Sequence, residues 1–144
     1  MVELAEPHAN FLRAARTAHL ATADQDGQPH VIPICFAFNG RSIYSVLDRK
    51  PKSIPVARLR RVLNILANPK VSLVVDHYEE AWSHLRYVLV FGRAELLTEG
   101  DELASAVDLL REKYTQYREM DLDGSPVIKI APERFVPWSF QPQP

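Results

Sequence analysis

Residues 17–47, TAHLATADQDGQPHVIPICFAFNGRSIYSVL, contain three apolar runs separated by two turn signals. The turn signals are Asp26-Gly27 and Asn39-Gly40, dipeptides typical of tight β-hairpins because their residues accept a positive φ angle. Apolar runs joined by such turns predict a meander of antiparallel strands. The three predicted strands are Thr17–Ala23, Val31–Phe38 and Arg41–Leu47.

The rest of the chain adds three helices and three strands to this meander. Pro33 interrupts the second strand and cannot donate a ladder hydrogen bond, so it predicts an edge strand or a bulge. Gly92, inside a later strand, also predicts a bulge or a close backbone approach. The later strands are Val71–Val75, Arg86–Leu97 and Val127–Ile130. Six strands with hairpin connections predict a mainly β fold, a closed or nearly closed antiparallel barrel with helices.

The middle helix is bounded by Ser53 and Pro55 at its start and by Asn68-Pro69 at its end. Four apolar residues repeat in it at helical spacing, and they predict the buried stripe: Val56, Leu59, Leu63 and Leu66. Arg61 and Asn64 fall on the opposite side of this helix because of its period of 3.6 residues. We therefore expect both side chains to face away from the core.

Composition limits the class of protein. The chain has 144 residues, enough for one domain over residues 1–144. Its formal net charge of -1 gives no overall attraction to nucleic acid or to an anionic membrane. Cys35 is the only cysteine, so no internal disulfide is expected. The first residues do not resemble a signal peptide, and a cytoplasmic location is expected.

A basic stretch surrounds the middle helix. Between residues 49 and 75 there is no Asp or Glu, whereas seven residues carry a positive charge: Arg49, Lys50, Lys52, Arg58, Arg60, Arg61 and Lys70. Free N–H groups at a helix N-terminus, together with basic side chains, form a natural phosphate site. Two other interpretations stay open at this point: a solvated basic face without a ligand, and a surface that binds nucleic acid.

Three segments resemble the split-barrel flavoproteins, the pyridoxamine 5′-phosphate oxidase-like superfamily, in particular its small deazaflavin-dependent branch. The segments are Gly27–Pro33 (GQPHVIP), Arg60–Val75 (RRVLNILANPKVSLVV) and Val90–Glu95 (VFGRAE). The resemblance implies a six-stranded antiparallel split β-barrel. It also implies a bound phosphorylated cofactor, coenzyme F420 (a deazaflavin) or FMN.

The resemblance further implies where this cofactor lies. Its phosphate would be held by Arg60 and Arg61, with help from Lys52 and Asn64, and Lys50 lies in the same basic loop. Its ring would lie against the backbone of one strand segment: Pro33, Ile34, Cys35 and Phe36. Members of the superfamily are homodimers, so part of each pocket would come from the segment of residues 76–86 of the partner, which includes Trp82.

The function implied by this resemblance is that of an oxidoreductase that transfers a hydride to or from a small organic substrate. The sequence names no catalytic residue; His77 or a water molecule could supply a proton. Four residues, His77, Glu79, Glu80 and His84, match no compact metal motif. The chain also lacks a clear copy of the phosphate motif of the full oxidase, which speaks against vitamin B6 oxidation. A flavin or haem carrier without turnover is the alternative on the same barrel.

Overall fold

The computed structural model describes residues 3–48 and 55–141. These residues form seven strands of one antiparallel sheet, in the order β2-β1-β5-β6-β7-β4-β3. The strands are β1 (Ala18–Ala23), β2 (Pro29–Ile34), β3 (Ala37–Phe38), β4 (Ile43–Val46), β5 (Lys70–His77), β6 (Arg86–Leu97) and β7 (Val127–Ser139). The α-helices are α1 (Glu6–Ala14), α2 (Arg60–Ala67), α3 (Asp101–Lys113) and α4 (Thr115–Glu119), and two short 3₁₀ turns cover Val56–Arg58 and Trp82–His84.

The sheet curls so that its two edge strands come close to each other without pairing. The predicted strand Val31–Phe38 is divided at Cys35 and Phe36 into β2 and β3, and these are the two edge strands of the sheet. Because only two residues connect the edges, the sheet is a nearly closed, split barrel. The division makes seven strands out of the six predicted, and the edge position predicted from Pro33 is confirmed.

Strands β5, β6 and β7 form the long central part of the sheet. The pairing of β6 with β7 runs from Arg86↔Ser139 to Leu97↔Val127, with a register shift at Phe91/Gly92. A Cβ atom on Gly92 would lie 2.5 Å from the carbonyl oxygen of Ala131, so a glycine is required at this close approach. The predicted bulge at Gly92 is therefore confirmed. Strand β7 is longer than predicted because it pairs along the whole of β6.

Helix α2 buries a different face from the predicted one. Val62 and Ile65 lie in the core, whereas Leu63 and Leu66 are 40% and 67% exposed. The prediction is confirmed for Val56 and Leu59, which pack against the core, and wrong for Leu63 and Leu66, because it continued one helical period through residues 56–66. The 3₁₀ turn and an extended Leu59 precede α2, which begins only at Arg60, so the phase of the first residues does not continue into the helix.

Helices α3 and α4 cover the seam between β2 and β3. The hydroxyl of Tyr114 accepts a hydrogen bond from the Phe36 amide (3.1 Å) and lies 2.7 Å from the carbonyl oxygen of Arg16. Lys113 donates from Nζ to the carbonyl oxygens of Ala15 (2.6 Å) and Phe36 (2.9 Å). These contacts hold the point at which the chain passes from one edge of the sheet to the other.

Candidate functional site

The basic pair at the start of α2 has two different environments. Arg60 is exposed to solvent, whereas Arg61 is partly buried. Burial lowers the pKa of Arg61, and the nearby negative charge of Asp48 opposes that shift. The Nε atom of Arg61 is buried and has no hydrogen-bond partner among the described residues. A partly buried guanidinium with an unused donor is suited to an anionic ligand such as a phosphate.

Asn64 faces the barrel, in contrast to the prediction. Its Nδ2 donates a hydrogen bond of 2.9 Å to Oγ1 of Thr22 on β1, and both residues are buried. The burial of a polar residue is tolerated here because Thr22 supplies the partner. Asn64 therefore attaches α2 to the sheet. It does not face away from the core, as the helical period predicted.

A second buried polar group lies next to this pair. Thr22 is the cross-strand neighbour of His30 on β2, so the two side chains lie on the same face of the sheet. Oδ1 of Asn64 and Nδ1 of His30 are both buried without a partner in the described parts of the chain. The burial of Asn64, Thr22 and His30 on the inner side of the sheet was not predicted, because no sequence period marks a polar residue that is buried by a distant partner.

Two of the predicted phosphate residues lie outside the described residues. Lys50 and Lys52 belong to residues 49–54, which separate β4 from the 3₁₀ turn Val56–Arg58. Their role remains a prediction. The described chain before this segment ends at Asp48. Its neighbour Leu47 is held by a hydrogen bond of 2.9 Å from its amide to the carbonyl oxygen of Pro126, the residue before β7.

The predicted ring segment is only partly accessible. Pro33 lies exposed on the outer face of β2, whereas the side chains of Ile34 and Phe36 are buried. The carbonyl oxygen of Cys35 accepts a hydrogen bond of 2.8 Å from Oγ of Ser45, and the backbone of Phe36 is bonded to Tyr114 and Lys113. The part of this segment that a ligand can reach is therefore centred on Pro33 and the partly exposed Cys35.

Lys113 is a basic group at this seam whose pKa is changed by burial. Its pKa is lowered to about 8, because burial disfavours the charged amine and Arg16 lies nearby. Its Nζ lies 3.9 Å from the centre of the Phe36 ring. The contacts of Nζ to two carbonyl oxygens are structural, so we assign Lys113 to the stability of the seam rather than to the cofactor.

Trp82 lies at the other end of the barrel from α2. It is 59% exposed and belongs to the 3₁₀ turn between β5 and β6. Strand β5 begins beside α2 and spans eight residues, about 25 Å, before it reaches this connection. One protomer therefore does not bring Trp82 to Arg60 and Arg61, and Trp82 could contribute to the predicted pocket only from a partner chain.

His77 and His84 lie at this same distant end. His77 Nε2 and His84 Nδ1 are each 2.9 Å from Oε1 of Glu79. The hydrogen bond from His77 is the main reason why the pKa of Glu79 is lowered, and His84 adds to it. The described residues contain no group of three or more metal-ligating side chains that could hold a metal ion.

The outer face of the sheet carries many apolar side chains, with His19, Ser72 and Arg134 among them, and it was not predicted as a whole. Adjacent strands bring together side chains that are not buried in the barrel, and we call them the outer face: Ala21, Val31, Pro33, Val74, Tyr87, Leu89, Phe91, Val136 and Trp138. Val31 is 60% exposed, and Tyr87 stacks on Trp138 at 5.5 Å. Strand alternation gave the signal, but only the register shows that these residues are neighbours.

No helix within residues 3–48 and 55–141 combines the length and apolarity needed to cross a membrane. None of the curated proteins matches the chain in sequence. The family model described as pyridoxamine 5′-phosphate oxidase matches residues 4–139.

Several solved structures are similar to this one. The conserved hypothetical protein Rv2991 from Mycobacterium tuberculosis is 24% identical, with a TM-score of 0.77 over 98% of this chain and 91% of the other. An F420 reductase is 24% identical, with a TM-score of 0.68 over 96% and 100% of the two chains. HutZ, described as the heme storage protein from Vibrio cholerae, is 18% identical, with a TM-score of 0.68 over 93% of each chain. At these identities, the similarity establishes the split-barrel fold.

Proposed function

The chain belongs to the pyridoxamine 5′-phosphate oxidase family, and we propose that it binds coenzyme F420 or FMN and acts as an oxidoreductase on a small organic substrate. The observation that carries this proposal is the state of Arg61. Its guanidinium is partly buried at the start of α2, and its Nε atom has no partner within the described chain. A phosphate group would supply an acceptor oxygen for this unused donor and would add to the negative charge of the nearby Asp48 in balancing the guanidinium.

Arg60 and Arg61 bind the phosphate in this proposal. Adjacent residues of a helix point about 100° apart, so one arginine approaches the phosphate from the barrel side and the other from the solvent side. Asn64 acts one turn later, where its hydrogen bond to Thr22 holds α2 against β1. We therefore assign Asn64 a positioning role instead of the direct contact expected from the sequence. Lys50 and Lys52 remain proposed contributors.

The ring of the cofactor is proposed to lie along β2. Pro33 is exposed there and has no N–H group, and Cys35 is partly exposed at the end of the same strand. The buried Ile34 and Phe36 give this strand a rigid base, because Lys113 and Tyr114 fix the Phe36 backbone. A flat ligand would thus meet a strand whose C-terminal end is already fixed by hydrogen bonds.

The functional unit is proposed to be a homodimer that covers the outer face. Large exposed apolar patches mark interaction sites in soluble proteins. Leu89, Phe91 and Val136 lie on adjacent strands in the middle of this face, and none of them is buried in the barrel. A second copy would bury these side chains and would bring its own Trp82 connection toward the β2 region. The distance between Trp82 and α2 within one protomer supports this arrangement.

When bound, a flavin or deazaflavin supplies the hydride-transfer chemistry. This chain's residues bind the phosphate, support the ring and exclude water at the dimer interface. A proton would come from a water molecule or from His77, whose imidazole is bonded to Glu79. Within one protomer, His77 is the last residue of β5, at the end that is distant from α2, so this role also requires the partner.

A pair of titrations tests the proposal. The purified protein is titrated with FMN and, separately, with coenzyme F420, and riboflavin serves as the control because it carries the ring without the phosphate. We expect saturable binding of FMN or coenzyme F420 and binding of riboflavin that is at least tenfold weaker. Absence of binding of both phosphorylated cofactors, or equal binding of riboflavin, would overturn the proposal.

A haem carrier on the same barrel is the alternative. HutZ, which shares the fold, is described as a heme storage protein. Haem titration followed by the Soret absorbance distinguishes the two functions. An enzyme, in contrast to a flavin carrier, oxidises the reduced cofactor faster when an acceptor is added.

A further inference from the structure

A pocket lies between α1, the β3–β4 hairpin and α3. Ala37 and Phe38 of β3 form its buried floor, and the half-buried Leu109 of α3 extends this floor. The volume is about 410 Å³, within the range of small-molecule sites. Asn39 closes one side, at the end of β4 opposite to Asp48, where the described chain is interrupted. The residues that line this pocket all belong to described segments.

Three charged residues complete the wall of the pocket: Arg13 from α1, and Glu112 and Lys113 from α3. The guanidinium of Arg13 lies 5.8 Å from the centre of the Phe38 ring, and its Nη1 donates a hydrogen bond of 2.9 Å to Oδ1 of Asn10. A guanidinium has five N–H donors, so most of those of Arg13 are not used by the described chain. They are suited to the oxygens of an anionic ligand.

Lys113 contributes an amine that is prepared to act as a nucleophile. Its Nζ donates to the carbonyl oxygens of Ala15 (2.6 Å) and Phe36 (2.9 Å), and the ion pairs of the described chain do not include it. Burial, with a smaller effect of the charge of Arg16, lowers its pKa to about 8. A neutral amine has two N–H groups for the two carbonyl oxygens and keeps a lone pair for reaction. Lysines with a lowered pKa react through this lone pair.

Lys129 provides the contrast within the same protein. Its Nζ lies 2.8 Å from Oε2 of Glu102, and this hydrogen bond is the main reason why the pKa of Lys129 is raised. Near pH 8 the neutral fraction of Lys129 is therefore far smaller than that of Lys113. The environment of Lys113 thus differs from that of an ion-paired lysine in charge as well as in burial.

We propose that Lys113 is a modification site that small acyl phosphates acylate in this pocket. The phosphate group binds to Arg13, and the acyl group lies on the floor formed by Ala37 and Phe38. The lone pair of Nζ attacks the acyl carbon, so a C–N bond forms and the C–O bond to the phosphate breaks. The phosphate leaves with the electrons of that bond, and the proton lost from Nζ passes to water. This step does not depend on the proposed cofactor.

The product would change the hydrogen bonding of the seam. An acylated Nζ is uncharged and keeps one N–H group, so it can bond to only one of its two present acceptors, the carbonyl oxygens of Ala15 and Phe36. The acylated protein therefore loses one of the contacts that join α3 to the end of α1 and to the link between β2 and β3. The Phe36 and Ala37 amides should shift in a 1H–15N NMR spectrum after acylation.

The test measures the rate of acetylation at each lysine. The full chain is treated near pH 8 with acetyl phosphate or with N-acetoxysuccinimide, an uncharged acetyl donor, and peptide mass spectrometry follows the reaction. We expect acetyl phosphate to acetylate Lys113 at least about tenfold faster than Lys129. Inorganic phosphate should slow the reaction of Lys113 with acetyl phosphate and leave that with N-acetoxysuccinimide unchanged. A rate at Lys113 no higher than at Lys129 would overturn the proposal.

Two variants test the role of the charges in the pocket. Arg13→Met should slow the reaction of Lys113 with acetyl phosphate about three- to tenfold, and Glu112→Gln should accelerate it about two- to fivefold, because one removes an attractive and the other a repulsive charge. Arg93→Met removes an exposed charge outside this pocket and is the matched control, with no change expected. Rates with N-acetoxysuccinimide should remain within about twofold in all three variants. Equal changes with both reagents would overturn the binding of the phosphate group by Arg13.

Discussion

Asn64 on α2 donates a hydrogen bond of 2.9 Å to Thr22 on β1, and neither side chain is more than 3% exposed. This hydrogen bond holds α2 at one position along β1 and in one rotation about the helix axis. The position of Arg61, one turn earlier on the helix, depends on it. A buried polar contact between residues 42 positions apart therefore controls the geometry of the candidate phosphate site.

We predict a strong coupling between Asn64 and Thr22. Asn64→Leu and Thr22→Val each leave a buried polar group without its partner, so each should lower the free energy of unfolding by about 1–3 kcal/mol. The double variant should lose less than the sum of the two, because it removes both polar groups. Urea unfolding of the four proteins measures the coupling. Additive losses would show that the contact contributes nothing specific.

We predict that Gly92 tolerates no side chain. In Gly92→Ala the new methyl group would lie 2.5 Å from the Ala131 carbonyl oxygen, so β6 and β7 must separate locally. We expect a loss of about 1–3 kcal/mol or more in the free energy of unfolding. Gly27→Ala is the comparison, because Gly27 has a φ of 86° but open space around it. It should lose only the conformational cost of about 1 kcal/mol. Equal losses in thermal unfolding would refute the steric argument.

We predict a pH dependence of stability that comes from Lys113. Its folded-state pKa is about 8 and its ordinary value is 10.5, so above pH 8 the unfolded chain keeps a proton that the folded chain releases. The contribution of this residue to the free energy of unfolding therefore rises as the pH increases from about 8 toward 10.5. Below pH 8 the folded protein carries the full cost of keeping the charged amine buried. The measurement compares Lys113→Met with the parent protein by urea unfolding.

The neighbours of Lys113 determine how this measurement is made. The charge of Arg16 lowers the pKa of Lys113, and Cys35 raises it. Tyr114 lies beside Lys113, and burial raises the pKa of its hydroxyl. Both proteins should therefore carry Cys35→Ala, and the pH range should end at about 9.5, before tyrosines titrate. The stability difference between the parent and Lys113→Met should change with pH in this range. A constant difference would contradict the lowered pKa.

We predict that a charge on the outer face breaks the proposed dimer. Val31→Glu places a carboxylate on an exposed position of β2 that the partner would bury. Light scattering after gel filtration should then show dissociation at protein concentrations at least tenfold higher than for the parent protein. Gln116→Glu adds the same charge to the exposed surface of α4 and should leave the dimer unchanged. Equal dissociation in both variants would locate the interface elsewhere.

The strands could be predicted where short-range chemistry determines them. Asp26-Gly27 and Asn39-Gly40 mark two turns because Gly27 and Gly40 adopt a positive φ that few residues accept. Gly92 marks the bulge because a side chain there would collide with the backbone of Ala131. The division of the run Val31–Phe38 could not be predicted, since the apolar pattern is continuous. It depends on Lys113 and Tyr114, which lie about 78 residues away and fix the Phe36 backbone.

The basic residues of the candidate site could be predicted from the sequence, but the directions in which their side chains point could not. The acid-free stretch around Arg60 and Arg61 is visible in the sequence. Its helical period, however, predicted that Arg61 and Asn64 face solvent, because Thr22 as a distant partner cannot be inferred from α2 alone. For the same reason, the outer face became visible only when the strand register joined separate segments.

The central claim is that Arg60 and Arg61 bind the phosphate of a ring cofactor. The most direct test is the affinity of the Arg60→Ala, Arg61→Ala double variant for FMN and coenzyme F420, with Arg58→Ala, an exposed arginine just before the helix, as the matched control. We predict a loss of at least tenfold in the double variant, since a charge-assisted hydrogen bond contributes about 1.5–3 kcal/mol. Thermal unfolding of the apo-protein should be nearly unchanged. Cofactor affinity in the double variant equal to that of Arg58→Ala would contradict the claim.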